Sequence, residues 1–211
     1  IKDALKSPRI QMKLIARARI LKNATAKPDL AIRVISANFK KGQRWIIYCD
    51  NQAQLTSVLS LLLHNGYDAY EYHSDMEGDR IQTLSYFSVN GGILVSIRCL
   101  DEGIDIPSTT HALILASSKN PREFIQRRGR ILRKYPGKYF AYLYDAIVTP
   151  CSTHDENDRS VSIIEAELAR AIQFGEWAEN YACITDLKNI AVDNGIKLSD
   201  VVNGGIEDGE E

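Results

Sequence analysis

The middle of the chain alternates short, continuous apolar runs with stretches in which apolar residues recur every three or four positions. Residues 44–48 (RWIIY) form the first run, bounded by Lys41-Gly42 and Asp50-Asn51. A run of that length, rich in β-branched and aromatic residues, predicts a buried strand. Asn51 is placed to cap a helix carrying Leu55, Val58, Leu59 and Leu62 and stopping at Asn65-Gly66. Residues 68–72 give a second strand. A helix from about Glu77 then carries Ile81, Leu84 and Phe87 and is closed by Asn90-Gly91-Gly92. Residues 93–97 (ILVSI), 111–116 (HALILA) and 139–144 predict three more strands. Before the last of them, Asn120-Pro121-Arg122-Glu123 announces a helix, with asparagine as cap, proline at the first position and glutamate closing a capping box. Strands and helices alternating at this spacing predict an α/β fold, a parallel sheet with helices on both faces.

Outside this core the pattern is helical. Ile10, Leu14, Ala18 and Leu21 fall on one stripe of a helix over residues 8–23, and a second helix is predicted from Pro28 to about Lys40. After Pro150 and a polar stretch, Ile163, Ile164, Leu168, Ile172 and Phe174 predict a helix running towards Tyr181. A shorter one passes through Leu187 and Ile190 to Asn194-Gly195. Residues 204–211 are acidic and glycine-rich and read as a frayed tail or truncated linker. The expected organisation is an N-terminal helix over 1–26 near an interdomain connection, an α/β domain over 27–150, and a helical C-terminal extension over 151–211.

Composition narrows the class without naming it. The 211 residues are 45% hydrophobic and 25% charged, which is ordinary for a soluble globular protein. No apolar run is long enough to span a bilayer, and Ile1 opens no charged-then-apolar leader, so no membrane is expected and a cytoplasmic or nucleoid-associated location is. The four cysteines (Cys49, Cys99, Cys151 and Cys183) show no metal-ligand spacing, so buried thiols are expected rather than disulfides or a metal site. A net charge of -1 argues against a chain coated in nucleic acid, while leaving room for a local basic site.

Two segments carry candidate chemistry. Along Gln126-Arg127-Arg128-Gly129-Arg130-Ile131-Leu132-Arg133, a helix would bring Gln126, Arg130 and Arg133 onto one face. One amide and two guanidiniums in a row suit phosphate oxygens. Gly129 inside that helix costs about 1 kcal/mol relative to alanine, which suggests close approach to something. A solvated basic face is the ordinary alternative; the apolar flanks Phe124, Ile125, Ile131 and Leu132 weigh against it. The second segment, Leu100-Asp101-Glu102-Gly103-Ile104-Asp105-Ile106-Pro107, follows the third strand directly. A glycine there lets backbone amides approach a ligand at the sheet's carboxyl edge, and Asp105 can accept from sugar hydroxyls. An ordinary turn is the alternative.

Together these segments resemble motifs V and VI of superfamily 2 helicases, the two-domain RecA-like motors. Motif VI there reads Q-R-x-G-R-x-x-R, which Gln126 to Arg133 match at every specified position, and motif V ends in G-I-D-x-P, matched by Gly103 to Pro107. The segment from Trp45 to Asn51 is similar to motif IV, and Tyr72-His73-Ser74 with Arg80 and Phe87 to the family's Y-H-G/S segment and its R…F helix. The resemblance covers roughly residues 27–145 and is closest to the DEAD/H-like branch that includes restriction and repair motors.

It implies a second RecA-like domain. Arg130 and Arg133 would be arginine fingers towards ATP and its Mg2+, held mainly by a first RecA-like domain, and Gln126 would position the γ-phosphate or the attacking water. Glu102, Gly103 and Asp105 would line the ribose side. Asn51, Ser74, Ser96 and Arg98 would contact a nucleic-acid backbone, with DNA ahead of RNA. Ile97 stands where the family often has threonine, so that contact passes to Ser96, Arg98 or backbone, or is lost. His73 is expected to be packed rather than catalytic.

No G-x-x-x-x-G-K-[ST] phosphate loop and no D-E-x-[DH] acid pair occurs in this sequence. The chain alone is therefore expected neither to hydrolyse ATP nor to unwind a duplex. A non-catalytic RecA-like scaffold or regulatory module is the rival reading. A dinucleotide-binding enzyme is set aside, since no G-x-G-x-x-G follows a strand.

Overall fold

The computed structural model describes residues 7–97, 106–116, 129, 131–149, 161–176 and 178–202. The chain divides into two compact units, residues 1–146 and 147–211. In the first, α1 (Pro8–Lys22) and α2 (Lys27–Asn38) precede β1 (Arg44–Cys49), α3 (Gln52–His64), β2 (Ala69–Tyr72), α4 (Arg80–Asn90), β3 (Gly92–Ile97), β4 (His111–Ile114) and β5 (Tyr142–Asp145). The five strands are all parallel, in the order β2-β3-β1-β4-β5. This is the expected α/β fold.

Alternation along each strand sorts the core into two layers. Trp45, Ile47, Cys49, Ile93, Val95, Leu113 and Leu115 face one side, where Ala31 and Ile35 of α2 and Leu55, Val58 and Leu62 of α3 cover them. Ile46, Tyr48, Tyr72, Leu94, Ala112 and Ile114 face the other, against Phe87 of α4, Ile106 and Ile131. The central strands are buried on both faces, which is why they read as unbroken apolar runs.

Element ends depart from the pattern where local chemistry intervenes. The helix expected from Glu77 starts at Arg80, because Gly78 sits at φ 111° and Asp79 is the cap, its Oδ1 accepting from the amides of Ile81 (2.8 Å) and Gln82 (3.2 Å). The helix expected to reach Lys40 ends at Asn38, with Phe39 extended. The fifth strand starts at Tyr142 rather than 139. Ahead of it, Tyr135-Pro136-Gly137-Lys138 makes a turn closed by a 3.0 Å backbone bond, with Gly137 at φ 78°.

In the second unit α5 (Val161–Gly175), α6 (Ala182–Asp193) and the short α7 (Leu198–Val202) enclose a small core of Ile164, Leu168, Ile172, Ala191, Ile196 and Val201. The first of these helices stops at Gly175, short of the expected Tyr181. A Cβ there would lie 2.8 Å from Ile184 Cγ1, so the glycine admits α6 at close range. Among the described residues no helix is long and apolar enough to cross a membrane.

Candidate functional site

In an open parallel sheet ligands gather outside the carboxyl ends of the strands, at the point where successive connections leave on opposite sides. Here β1 and β4 are neighbours, β1 leading to α3 on one face, while Ile131, downstream of β4, packs on the other. Polar side chains from three elements meet beside that point. Lys22 Nζ lies 3.4 Å from Asp50 Oδ1, and Asn23 Nδ2 donates to Asp50 Oδ2 at 3.2 Å. Asn51 Oδ1 accepts from the Gln54 amide (3.0 Å), capping α3, while Asn51 Nδ2 donates to Asn23 Oδ1 at 2.6 Å. Gln54, almost fully buried, bridges the Asp50 amide and the Lys22 carbonyl, both at 2.9 Å. Lys27, also buried, donates to the Leu115 carbonyl just past β4. The α1–α2 connection is thereby fastened to the carboxyl edge.

The residues expected to contact nucleic acid fare differently. Asn51 is at the edge, yet its amide is engaged in capping and in the bond to Asn23. Ser74 is exposed just beyond β2. Ser96 is only 2% exposed within β3, in register with Tyr48 of β1 and Tyr72 of β2. Arg98 lies outside the described residues, as do Glu102, Gly103 and Asp105 on the ribose side. His73 is packed, with Nε2 3.3 Å from Glu71 Oε2, and the Arg80 guanidinium sits 5.2 Å from the Tyr72 ring centroid.

Of the proposed phosphate-facing triad, Gln126 and Arg130 lie outside the described residues. Gly129 and Ile131 are helical, and Ile131 is buried against the sheet. Arg133 is exposed and falls past the last helical residue, so the helical face argued from spacing ends before it. The cause is the turn at residues 135–138, which brings Lys138 Nζ back onto the Ile131 carbonyl and onto Pro107 O at 3.1 Å. Lys138 thus fastens the end of the arginine segment to the end of the Gly103–Pro107 segment, and desolvation lowers its pKa. Among the described residues, a Cβ on Gly129 would meet nothing within 4 Å.

Sequence reasoning missed Lys27 and Asn23 as organisers of the carboxyl edge, and Lys138 as the tie between Ile131 and Pro107. The lysines act on backbone carbonyls and Asn23 on the side chains of Asp50 and Asn51, all brought near by the fold, which no residue spacing advertises. Cys49 is buried, and desolvation together with the neighbouring Asp50 pushes its thiol up to about 12, so it is an inert core residue. Among the described residues no group of three His, Cys, Asp or Glu side chains is placed to hold a metal ion.

Sheet order and two-sided coverage define a RecA-like domain of the kind found second in superfamily 2 helicases. The chain belongs to the helicase conserved C-terminal domain family, whose model matches residues 26–135. It is 29% identical over 123 residues to a Methanocaldococcus jannaschii protein named as an ATP-dependent RNA helicase, covering 54% of this chain and 16% of that one. It is 26% identical over 164 residues to UvrABC system protein B of Cupriavidus pinatubonensis, covering 74% and 23%. The chain therefore spans less than a quarter of the length of either relative. The C-terminal domain of the DEAD-box protein Dbp5 has the same fold, with TM-score 0.52, 21% identity, and coverage of 74% of this chain and 83% of that one. T4 UvsW gives TM-score 0.53 at 17% identity, covering 82% and 36%.

Proposed function

We propose that this chain is the second motor domain of an ATP-dependent helicase or translocase, acting on ATP held mainly by a first RecA-like domain. The observation that carries the reading is the complete Gln126-Arg127-x-Gly129-Arg130-x-x-Arg133 array, inside the family-matched stretch 26–135. A scaffold has no use for such an array, which weighs against the non-catalytic alternative.

Bound Mg-ATP would supply the driving energy of the cycle. Arg130 and Arg133 reach across the interdomain cleft to its γ-phosphate, and Gln126 orients that phosphate or the attacking water. Glu102, Gly103 and Asp105 line the ribose side. Fingers of this kind contribute ~10³–10⁵ in rate, roughly 4–7 kcal/mol of barrier, and only when a phosphate loop lies opposite. Closure while the fingers are engaged, and opening after hydrolysis, moves the grip of Ser74, Arg98 and the Asn51 end of β1 along a nucleic-acid backbone, with DNA the first candidate. Residues 27–150 are the motor domain, 1–26 its link to the first domain, and 151–211 an accessory region.

The exposure of Gly129 and Arg133 supports this reading, since both suit the approach of a second domain. The test joins the chain to its first domain and compares wild type with Arg130→Ala. ATPase should fall by ~10³ or more with nucleic-acid binding retained. Unchanged turnover would remove the finger assignment.

A further inference from the structure

At the opposite edge of the sheet, where the strands begin, the first unit holds a cleft of about 410 Å³ that the motor reading does not use. Among the described residues three cations line it (Lys41, Arg44 and Lys138) and no carboxylate does. Arg44 and Lys138 donate to carbonyls of the chain, whereas Lys41 is exposed and has no hydrogen bond or ion pair among the described residues. Tyr139, Phe140 and Tyr142 line the same cleft and are 89%, 57% and 50% exposed.

The aromatic rings are organised from within the sheet. Trp45, His111 and Tyr142 occupy paired positions on β1, β4 and β5, and their rings stack in sequence, 4.5 and 4.8 Å apart at 12° and 14°. Exposure rises along the ladder, from 0% at Trp45 through 6% at His111 to 50% at Tyr142. Among the described residues β5 is the edge strand, so the stack ends on an open ring beside a wholly cationic lining.

We propose that this amino-edge cleft binds single-stranded nucleic acid by stacking a base against the ladder's open end and the rings of Tyr139 and Phe140, with a neighbouring phosphate on Lys41. Flat rings stack on any base, and cations with no carboxylate among them favour a polyanion while reading no sequence. Burial keeps His111 neutral, which preserves a plain aromatic stack at physiological pH. A helical or extended peptide is disfavoured, because the apolar surface is offered as exposed ring faces rather than pockets. The inference rests on the nucleic-acid partner of the proposed motor, not on its arginines, and it gives that partner a second contact away from the nucleotide edge.

The test titrates the full chain into a fluorescein-labelled oligo(dT) of about 12 nucleotides and follows anisotropy at several salt concentrations. Tyr139→Ala and Phe140→Ala, both at exposed positions, should each weaken binding by about 5- to 100-fold, and Lys41→Glu by at least about tenfold. With bromodeoxyuridine in the strand, photocross-links should fall on residues 139–142. None of these variants alters the 126–133 array, so failure of the finger assignment and failure of this site are separable. Wild-type affinity in all three cleft variants, cross-links confined to the carboxyl edge, or displacement by polyglutamate as effective as by unlabelled oligo(dT) would each overturn the proposal.

Discussion

Acidification should weaken the fold through His111 by an amount the structure sets. The imidazole lies between Trp45 and Tyr142, is 6% exposed, and shares a 2.8 Å hydrogen bond between its Nδ1 and Thr110 Oγ1. Burial lowers its pKa from 6.5 to about 4. Because the folded value lies below the unfolded one, the unfolded chain binds the proton more readily between them. The stabilisation is therefore complete above about pH 6.5 and is lost as pH falls through about 4. At 1.36 kcal/mol per unit the difference is about 3 kcal/mol. Water reaching past the half-exposed Tyr142, and attraction between an imidazolium and its ring neighbours, reduce it to about 2–3 kcal/mol. Urea unfolding of wild type and His111→Phe from about pH 7.5 to about pH 4 measures this directly. Phenylalanine keeps a ring in the ladder, and carboxylates titrate alike in both chains, so the difference between the two curves isolates the imidazole. It should narrow by about 2–3 kcal/mol as pH falls. Parallel curves would refute the reasoning.

Other substitutions test the remaining arguments. Lys138→Met removes the cation from the carbonyls of Ile131 and Pro107 and should cost about 1.5–3 kcal/mol of stability, read as a lower urea midpoint. Asn51→Ala removes the cap of α3 and the bond to Asn23 and should cost about 1–2 kcal/mol in the same assay. Gly92→Ala puts a Cβ 2.9 Å from Asp68 O at φ 109° and should cost more than about 2 kcal/mol, seen as a melting temperature several degrees lower.

What the sequence made legible follows from how each feature is encoded. β1 and β3 are buried on both faces, so their apolar runs stood out without an alternating pattern. Strand order and register arise from pairings such as Trp45 with Ile93 and with His111, between residues far apart in the chain, and no local pattern encodes them. Helix ends were misjudged where two signals competed. Glu77 opens the polar stretch before α4, but Gly78 is bound to a positive φ and hands the cap to Asp79. Gly175 reads as a tolerable interior glycine until α6 is packed against it. At the candidate site the arginine array was legible because its residue types and spacing are themselves the chemistry. The buried Lys27 and the Asn23–Asp50–Asn51–Gln54 network were not, since ordinary polar residues acquire that role only when the topology delivers carbonyls and amides to them.

Gly129 separates a folding role from a motor role more cleanly than the arginines do. Its Cβ position is open among the described residues, it is helical, and it carries no positive φ, so within this chain Gly129→Ala should be neutral or stabilising by about 0.5–1 kcal/mol. A helical glycine with no close neighbour among the described residues leaves room for a partner from outside this domain. If it clears space for the first domain to close on the nucleotide, the same alanine in the joined protein should lower ATPase turnover by about tenfold or more, against a melting temperature that stays level or rises. The two measurements pull in opposite directions, which a purely structural role cannot produce. A Gly129→Ala protein as active as wild type would mean that the domains do not meet at this helix.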